Sequence, residues 1–330
     1  MSVVRRSVYA AVAAPLVIFA AQAPQPPGIL VHIGGGQRLH VNCTGSGSPA
    51  VVFENGAGDF SVVWSLVQPL VSQFTRACSY DRAGYAWSDP GAQPRTFGQL
   101  ALELQTLLEK ADLAPPYVLV GQSFGGSLVR SFAARYPAVV SGMVLIDAVH
   151  EDGYVVYGGQ PHHLRDEAKA RVEPPPRIAL DADTVQRTRG VAAAAVQPLD
   201  APLDRLPAAA RQVWQWAAAQ PVYRSVQPLE MEWSADEAER FYQQRRTRPA
   251  SLGNIPLIVL ARTTGGYASG MRITAGRLEE LRREQQADLA RLSTSGSVRF
   301  APASGHNIHV EDPAFVAQAI RDVVQRARRQ

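Results

Sequence analysis

Short apolar runs recur along this chain, and segments with a helical spacing of apolar residues lie between most of them. Runs of this kind are typical of strands buried on both faces, and their alternation with helices predicts a mostly parallel sheet covered by helices on both sides. Three glycines, residues 34–36, separate the first two runs and indicate a hairpin. The predicted strands are residues 29–33, 38–42, 50–53, 77–80, 117–120, 143–146, 255–260 and 297–300.

The alternation stops between residues 151 and 252, where no convincing strand pattern occurs. This segment holds 10 of the chain's 24 prolines and three of its five tryptophans. Ser234 and Glu237 form a capping-box pattern that predicts a helix through Arg246, and residues 207–219 predict another helix. We therefore predict an inserted helical cap. The predicted organisation is an N-terminal segment 1–27, a core 28–150, a helical cap 151–252 and the remaining core 253–330.

Composition excludes several classes of function. The chain has 330 residues, 46% of them hydrophobic and 19% charged, which is an ordinary globular balance. Its formal net charge is +4, but its arginines are scattered, and the basic runs 245–246 and 326–329 are interpreted as solvated faces. The sequence contains no Walker loop, no Gly-x-Gly-x-x-Gly after a strand and no zinc-type Cys/His spacing. We predict no nucleic-acid partner, no cofactor and no bound metal.

The first 27 residues have the features of an export signal. Two arginines precede an apolar stretch over residues 8–20, and small residues at Ala21 and Ala23 match a cleavage pattern. The stretch is too short to span a bilayer comfortably. Pro24 disfavours cleavage directly after Ala23, so a retained membrane anchor is the alternative. We predict an exported protein, periplasmic or secreted, that meets a membrane only if this segment is retained.

The segment Gly121 to Gly125 reads Gly-Gln-Ser-Phe-Gly and stands between an apolar strand and a helical pattern that Pro137 stops. The small residues let the backbone turn sharply and hold a serine in a strained conformation above the sheet. Because Gly-x-Ser-x-Gly also arises by chance in glycine-rich loops, the flanking strand and helix decide the interpretation. Ser123 is the predicted nucleophile.

A nucleophilic serine needs a base, and the base needs an acid that orients it. His306 follows the last predicted strand in the sequence Ser-Gly-His, and Asp312 with Pro313 predicts the start of the next helix. His306 is therefore expected on a loop at the carboxyl edge of the sheet, where catalytic groups gather. His309 is the competing base, but it lies closer to the helix and has no preceding glycine.

Three motifs, taken in order, resemble the α/β-hydrolase superfamily in its capped, single-domain serine hydrolase branch. They are Tyr-Asp-Arg-Ala-Gly-Tyr-Ala-Trp-Ser-Asp at 80–89, Gly-Gln-Ser-Phe-Gly at 121–125 and Ser-Gly-His at 304–306. The likeness covers residues 30–150 and 253–325. It implies an α/β fold with a mostly parallel eight-stranded sheet, an antiparallel second strand, flanking helices, an inserted helical cap, and a nucleophile–acid–base order along the chain.

The resemblance also implies an oxyanion hole with two backbone donors. One is the amide of Phe124, and the other comes from the loop after the third strand, where Ala57 is the candidate. Many relatives carry His-Gly in this loop, and Asn55 is the candidate for replacing the hydrogen bonds of that histidine.

The position of the orienting acid differs from the commonest pattern of the resembled superfamily, in which it follows the seventh strand. In this chain no Asp or Glu follows that strand until Glu279. Some capped relatives carry the acid after the sixth strand, where this chain has Asp147. We predict that Asp147 accepts the Nδ1 proton of His306, with Glu151 and Asp152 as alternatives.

The implied chemistry is hydrolysis of a small-molecule carboxylic ester through an acyl-enzyme. Amidase, peptidase or cofactor-free peroxidase activity would use the same residues, whereas relatives that open epoxides or remove halogens use an aspartate nucleophile. A non-catalytic ligand-binding homologue is the alternative from another class. Trp214, Trp216 and Trp233 of the predicted cap are expected to bind substrate in an apolar pocket.

Cys43 and Cys78 are the only cysteines, and they lie on the second and fourth predicted strands. The resembled fold makes these strands neighbours, so we predict a disulfide, which an oxidising compartment would permit. Two buried free thiols are the alternative.

Overall fold

The structure is a computed structural model that describes residues 23–157, 160–170, 198–265 and 274–330. Each apolar run predicted to form a strand does so, and all eight strands belong to one sheet. A separate two-stranded hairpin lies between the sixth and seventh of them. The strands are β1 Ile29–Gly34, β2 Gln37–Thr44, β3 Ala50–Glu54, β4 Ala77–Tyr80, β5 Tyr117–Gln122, β6 Val140–Ile146, β7 Tyr154–Tyr157, β8 Gln160–His163, β9 Leu257–Ala261 and β10 Gly296–Phe300.

The large sheet has the order β1-β2-β4-β3-β5-β6-β9-β10. β2 runs antiparallel to both of its neighbours, and the remaining pairs are parallel. Both predictions for the sheet, eight strands and an antiparallel second strand, are confirmed. The carboxyl ends of the parallel strands therefore meet at one edge.

Helices flank the sheet, and two of their predicted boundaries depend on proline. The helix after β5 ends at Arg135, before Pro137, and the last helix begins at Pro313 with the Asp312 carboxylate accepting from the Phe315 amide at 3.0 Å. The described α-helices are α1 Gln68–Val71, α2 Phe97–Lys110, α3 Phe124–Arg135, α4 Ala208–Ala218, α5 Pro221–Met231, α6 Ser234–Thr247, α7 Ala275–Leu289, α8 Ile308–Glu311 and α9 Pro313–Ala327. Single 3₁₀ segments are Ser61–Trp64, Pro137–Val139, Leu164–Ala170, Leu203–Arg205 and Ala290–Leu292.

The apolar core lies in two layers, one on each face of the sheet. In β5, Val118 and Val120 belong to the layer that contains residues of α1 and α9, whereas Leu119 belongs to the layer that contains residues of α2 and α3. Side chains alternate between faces along a strand, so a strand covered on both sides has to be apolar at successive positions. This explains why the runs in the sequence are continuous.

The segment between β6 and β9 contains α4, α5 and α6 together with the β7–β8 hairpin. The hairpin was not predicted, because its strands have only four residues each and the second contains Pro161. The predicted capping box does not form. Trp233, not Ser234, occupies the N-cap position of α6, and its backbone (φ −98°, ψ 8°) is not extended as an N-cap normally is. α5 ends at Met231, so the chain passes into α6 without an extended residue.

Cys43 and Cys78 form a disulfide that joins β2 to β4, where the two residues are direct cross-strand partners. The bond links the antiparallel second strand to the parallel part of the sheet. Cross-linking a loop of this kind typically contributes about 2–4 kcal/mol to stability.

Residues 1–22 lie outside the described residues, and the predicted export signal falls mostly on them. The chain from Ala23 onward is described, and the carbonyl of Pro24 accepts a hydrogen bond from the Trp87 indole at 2.7 Å. Within the described ranges, no helix is both long and apolar enough to cross a membrane.

Candidate active site

Ser123 stands at the turn between β5 and α3, with a φ of +53°. Its amide donates to the Ile146 carbonyl at 3.0 Å. A Cβ on Gly121 would lie 2.5 Å from the carbonyl oxygen of Gly125, and a Cβ on Gly125 would lie 2.5 Å from that of Asn55. Only glycine fits at either position, because the turn brings backbone against backbone. The serine is half-buried at the carboxyl edge of the sheet.

Asp147 and His306 are brought together at the same edge. Asp147 follows β6 and is buried, and its Oδ2 lies 2.6 Å from Nδ1 of His306 on the loop after β10. Arg282 of α7 also contacts the acid, with its Nε 3.1 Å from Oδ1. Burial alone would raise the pKa of Asp147, but the hydrogen bond from His306 and the charge of Arg282 outweigh it and hold the pKa below the ordinary value. The carboxylate is therefore ionised at neutral pH.

The loop that carries His306 is joined to the serine turn by a hydrogen bond from a side chain to the backbone. Gln122, next to Ser123, donates from Nε2 to the His306 carbonyl at 3.3 Å. Among the described residues, the Ser123 hydroxyl makes no hydrogen bond to the His306 ring. Such bonds are often long without substrate and tighten when it binds.

Glu311 orders the same loop from α8, because its Oε2 accepts from the Gly305 amide at 2.8 Å. His309, the competing base, lies on α8 and is fully buried with its ring 4.8 Å from that of Trp64. Burial, with a smaller contribution from the charge of His306, lowers the pKa of His309 to about 3. His309 is therefore a neutral core residue at physiological pH.

The candidate oxyanion loop, residues 54–58, packs directly on the serine turn. A Cβ on Gly56 would lie 2.2 Å from Oε1 of Gln122. Ala57 is exposed, and neither its amide nor that of Phe124 donates to an acceptor within the described part of the chain. Asn55 is buried: its Nδ2 donates to the Tyr80 carbonyl at 3.0 Å, and its Oδ1 accepts from the Trp64 indole at 2.7 Å.

A family profile described as the alpha/beta hydrolase fold matches residues 49–322. This chain belongs to the alpha/beta hydrolase family. It is similar to an uncharacterized protein, YqjL, of Bacillus subtilis, with 25% identity over 84% of this chain and 85% of that protein. Among solved structures, it is similar to a thermophilic esterase from Thermogutta terrifontis (19% identity, TM-score 0.59, covering 91% of this chain and 98% of the esterase) and to an enol-lactonase from Burkholderia xenovorans (18%, TM-score 0.56, 89% and 99%). At these levels of identity, the similarity to the two solved structures supports the fold alone.

In this alpha/beta hydrolase, two of the three cap tryptophans contact residues at or near the candidate oxyanion donors in sequence. Trp214 donates from its indole to Oδ1 of Asp59 at 3.3 Å, two residues after Ala57. Trp233 packs against the buried cluster that contains Phe124. Trp216 instead contacts the Trp87 ring, with centroids 5.8 Å apart.

Asp59 places a carboxyl group next to the oxyanion loop. Burial raises its pKa, and the hydrogen bond from Trp214 opposes this rise only in part.

The two alternative acids lie in other ion pairs. Glu151 accepts from Arg130 at 2.8 Å and pairs with Arg245 at 3.2 Å, and Asp152 pairs with Arg165 at 2.8 Å. His306 is not among their hydrogen-bond partners in the described residues.

Three possible metal ligands, His150, Glu151 and Asp288, lie with their ligand atoms within 4.8 Å of one another. Arg245 inserts between the two carboxylates, 3.2 Å from Glu151 and 2.5 Å from Asp288. Because the arginine already supplies the positive charge, this donor set fits an ion-pair network better than a cation site.

Glu151→Gln is expected to lower the free energy of unfolding at pH 7 by about 3 kcal/mol. Burial of Glu151 opposes ionisation, but Arg130, His150 and Arg245 outweigh it and lower the pKa to about 2 from an ordinary 4.5. Stabilisation by this carboxylate is therefore complete above pH 4.5 and is lost as the pH falls toward 2. Urea unfolding of both proteins at pH 7 and pH 3 measures it. An equal difference at the two pH values would contradict this origin.

Proposed function

We propose that this alpha/beta hydrolase cleaves carboxylic esters through an acyl-enzyme on Ser123. The single observation that carries the proposal is the 2.6 Å contact between Asp147 and His306, at the sheet edge where Ser123 stands with a positive φ. A serine, an imidazole with a buried carboxylate at Nδ1 and two free backbone amides are the groups that acyl transfer needs.

In the proposed reaction, His306 takes the hydroxyl proton as Ser123 Oγ attacks the ester carbonyl carbon. The negative charge moves to the carbonyl oxygen, which accepts hydrogen bonds from the amides of Phe124 and Ala57. His306 then gives its proton to the leaving alcohol as the C–O bond breaks. Water attacks the acyl-enzyme with the same base, and the acid and free Ser123 are released. Asp147 fixes the tautomer of His306 and stabilises the imidazolium throughout.

Esters are favoured as substrates by chemistry at the nucleophile and by analogy. Serine forms an acyl-enzyme with an ester. By the resemblance, members of this superfamily that open epoxides use an aspartate nucleophile instead. The similar solved structures include an esterase and an enol-lactonase but also an epoxide hydrolase, so the choice of an ester depends mainly on the serine. Amides and peptides stay alternatives with the same residues.

We also propose that the cap selects the substrate. Trp214 donates to Asp59, two residues after Ala57, and this contact supports a role for its apolar ring in binding the acyl or alcohol group of the substrate. The packing of Trp233 against the cluster that contains Phe124 supports a similar role, whereas Trp216 contacts Trp87 instead.

Labelling with a fluorophosphonate probe and hydrolysis of p-nitrophenyl esters of graded acyl length test the function together. Wild-type protein is expected to form one adduct, on Ser123, and to hydrolyse the esters, while folded Ser123→Ala does neither. Trp214→Ala is expected to change the order of preference among chain lengths. Folded wild-type protein with no adduct and no ester hydrolysis would instead support the ligand-binding class.

Export is part of the proposal. The pairing of Cys43 with Cys78 is typical of an oxidising compartment, and the sequence of residues 1–22 has the features of a signal.

A further inference from the structure

The Arg82 side chain donates hydrogen bonds to the backbone of the oxyanion loop. The residue lies just after β4 and is 2% exposed. Its Nη1 donates to the Asn55 carbonyl at 2.8 Å and its Nη2 donates to the Gly56 carbonyl at 2.7 Å. These two carbonyls directly precede the Ala57 amide. The planar guanidinium therefore fixes the orientation of the peptides that lead into the candidate donor.

Glu230 of α5, which belongs to the cap, forms an ion pair with the same guanidinium. Its two oxygens accept from Nε and Nη2 of Arg82 at 2.5 Å and 2.9 Å, which is a bidentate pair. The Tyr85 hydroxyl donates to the same carboxylate at 2.8 Å, and the Gly58 amide lies 3.4 Å from it. Glu230 is 2% exposed, so water does not replace these contacts.

The cap helix also limits the space around the loop. A Cβ on Gly58 would lie 2.9 Å from Nε2 of Gln227 and 3.2 Å from the Tyr223 hydroxyl, both on α5. The loop therefore has core contacts on one side, through Glu54 and Arg82, and cap contacts on the other.

We propose that Glu230 is a positioning residue that holds the oxyanion loop in its catalytic geometry through Arg82, so that docking of the cap completes the oxyanion hole. The proposal rests on the proposed function for its catalytic consequence, but the coupling between cap and loop exists with or without ester hydrolysis. Glu230 touches no reacting atom. Its loss should therefore weaken stabilisation of the transition state more than binding of the substrate.

Hydrogen exchange of the full-length protein tests the coupling without reference to activity. Glu230→Gln is expected to speed exchange of the amides of residues 55, 58 and 59, which are hydrogen-bonded in the wild type. The matched control is Glu237→Gln, a buried cap carboxylate whose partner Arg240 lies on its own helix. The control should leave exchange in the loop unchanged.

Steady-state kinetics with p-nitrophenyl acetate test the consequence. Glu230→Gln is expected to lower kcat by about 10- to 100-fold with KM changed less than about threefold, since removing an oxyanion donor outright costs about 10²–10³. Tyr85→Phe, which removes one hydrogen bond to Glu230, should act in the same direction by a smaller factor. If Glu230→Gln does not fold, Tyr85→Phe replaces it in the kinetic and exchange measurements.

Faster exchange in the loop together with a fall in kcat supports the proposal. Wild-type exchange in the loop of a folded variant overturns it, as does an unchanged kcat, or a control that behaves like Glu230→Gln. If the wild type hydrolyses no ester, the proposed function fails, and the exchange result alone decides whether the cap holds the loop.

Discussion

His306→Ala is expected to reduce kcat/KM on p-nitrophenyl acetate by about 10⁵–10⁶-fold, the scale seen when the base of a serine hydrolase is removed. Nδ1 of the imidazole lies 2.6 Å from Asp147, and in the proposed reaction this ring serves both proton transfers. Its side chain is 41% exposed, so truncation leaves no buried cavity of consequence. The thermal midpoint should therefore stay close to that of the wild type.

His309→Ala is the matched comparison, and the two histidines should separate function from stability. His309 is fully buried against Trp64, and its removal creates a cavity that is expected to lower stability by about 2–4 kcal/mol. The fraction that remains folded should keep kcat within about tenfold of the wild type. A collapse of activity in folded His309→Ala, with normal turnover in His306→Ala, would reverse the assignment of the base.

The sequence predicted the sheet well because burial on both faces leaves a strong local signal. Val118, Leu119 and Val120 are apolar in succession since they alternate between two core layers, and no distant partner has to be known to recognise this. The capping box at Ser234 failed for the opposite reason. A Ser-x-x-Glu pattern requires an extended residue before the helix, and α5 leads into α6 without one.

The candidate site was predictable where its chemistry is carried by local motifs. Ser123 has a glycine two residues away on either side, His306 directly follows one, and each lies in a loop after a predicted strand, so each could be found from its own neighbourhood. Arg282 and Glu230 were missed because nothing in their own segments distinguishes them from solvated helix residues. Arg282 lies 135 residues from Asp147, and Glu230 lies 148 residues from Arg82. A charged residue that acts through such a partner becomes visible only when the fold joins the two elements.

Arg82 itself lay within a recognised motif, residues 80–89, without a role assigned to it. For the loop after β3, which lacks the His-Gly of many relatives, the sequence offered Asn55 as the replacement for the hydrogen bonds of the missing histidine. Asn55 bridges the Tyr80 carbonyl and the Trp64 indole, and Arg82 binds the carbonyls that follow. A buried asparagine and a buried guanidinium together support the loop. Glu54, which pairs with Arg82 at 2.7 Å, has its own pKa raised by burial, which Arg82 only partly offsets.

Asp147→Asn is expected to lower kcat by about 10³–10⁴-fold while the protein remains folded. An asparagine keeps an oxygen that can accept from Arg282, which lies 3.1 Å from Oδ1, so the end of β6 should hold its place. The amide cannot take the negative charge of the carboxylate, and its NH₂ group facing Nδ1 would favour the wrong tautomer of His306. The cation of Arg282 would then stand beside an imidazole that has lost its counter-charge, which further disfavours the imidazolium.

Glu151→Gln and Asp152→Asn test this assignment, because both carboxylates lie within five residues of Asp147 in sequence. Their partners are Arg130, Arg245 and Arg165 rather than the base, so each variant is expected to retain kcat within about tenfold. Circular dichroism and thermal unfolding of all three variants separate lost folding from lost chemistry. Glu151→Gln should be the least stable of the three variants and Asp147→Asn the least active. Stability and turnover are therefore expected to change independently of each other. Near-normal turnover in Asp147→Asn, with collapse in either of the others, would assign the acid elsewhere.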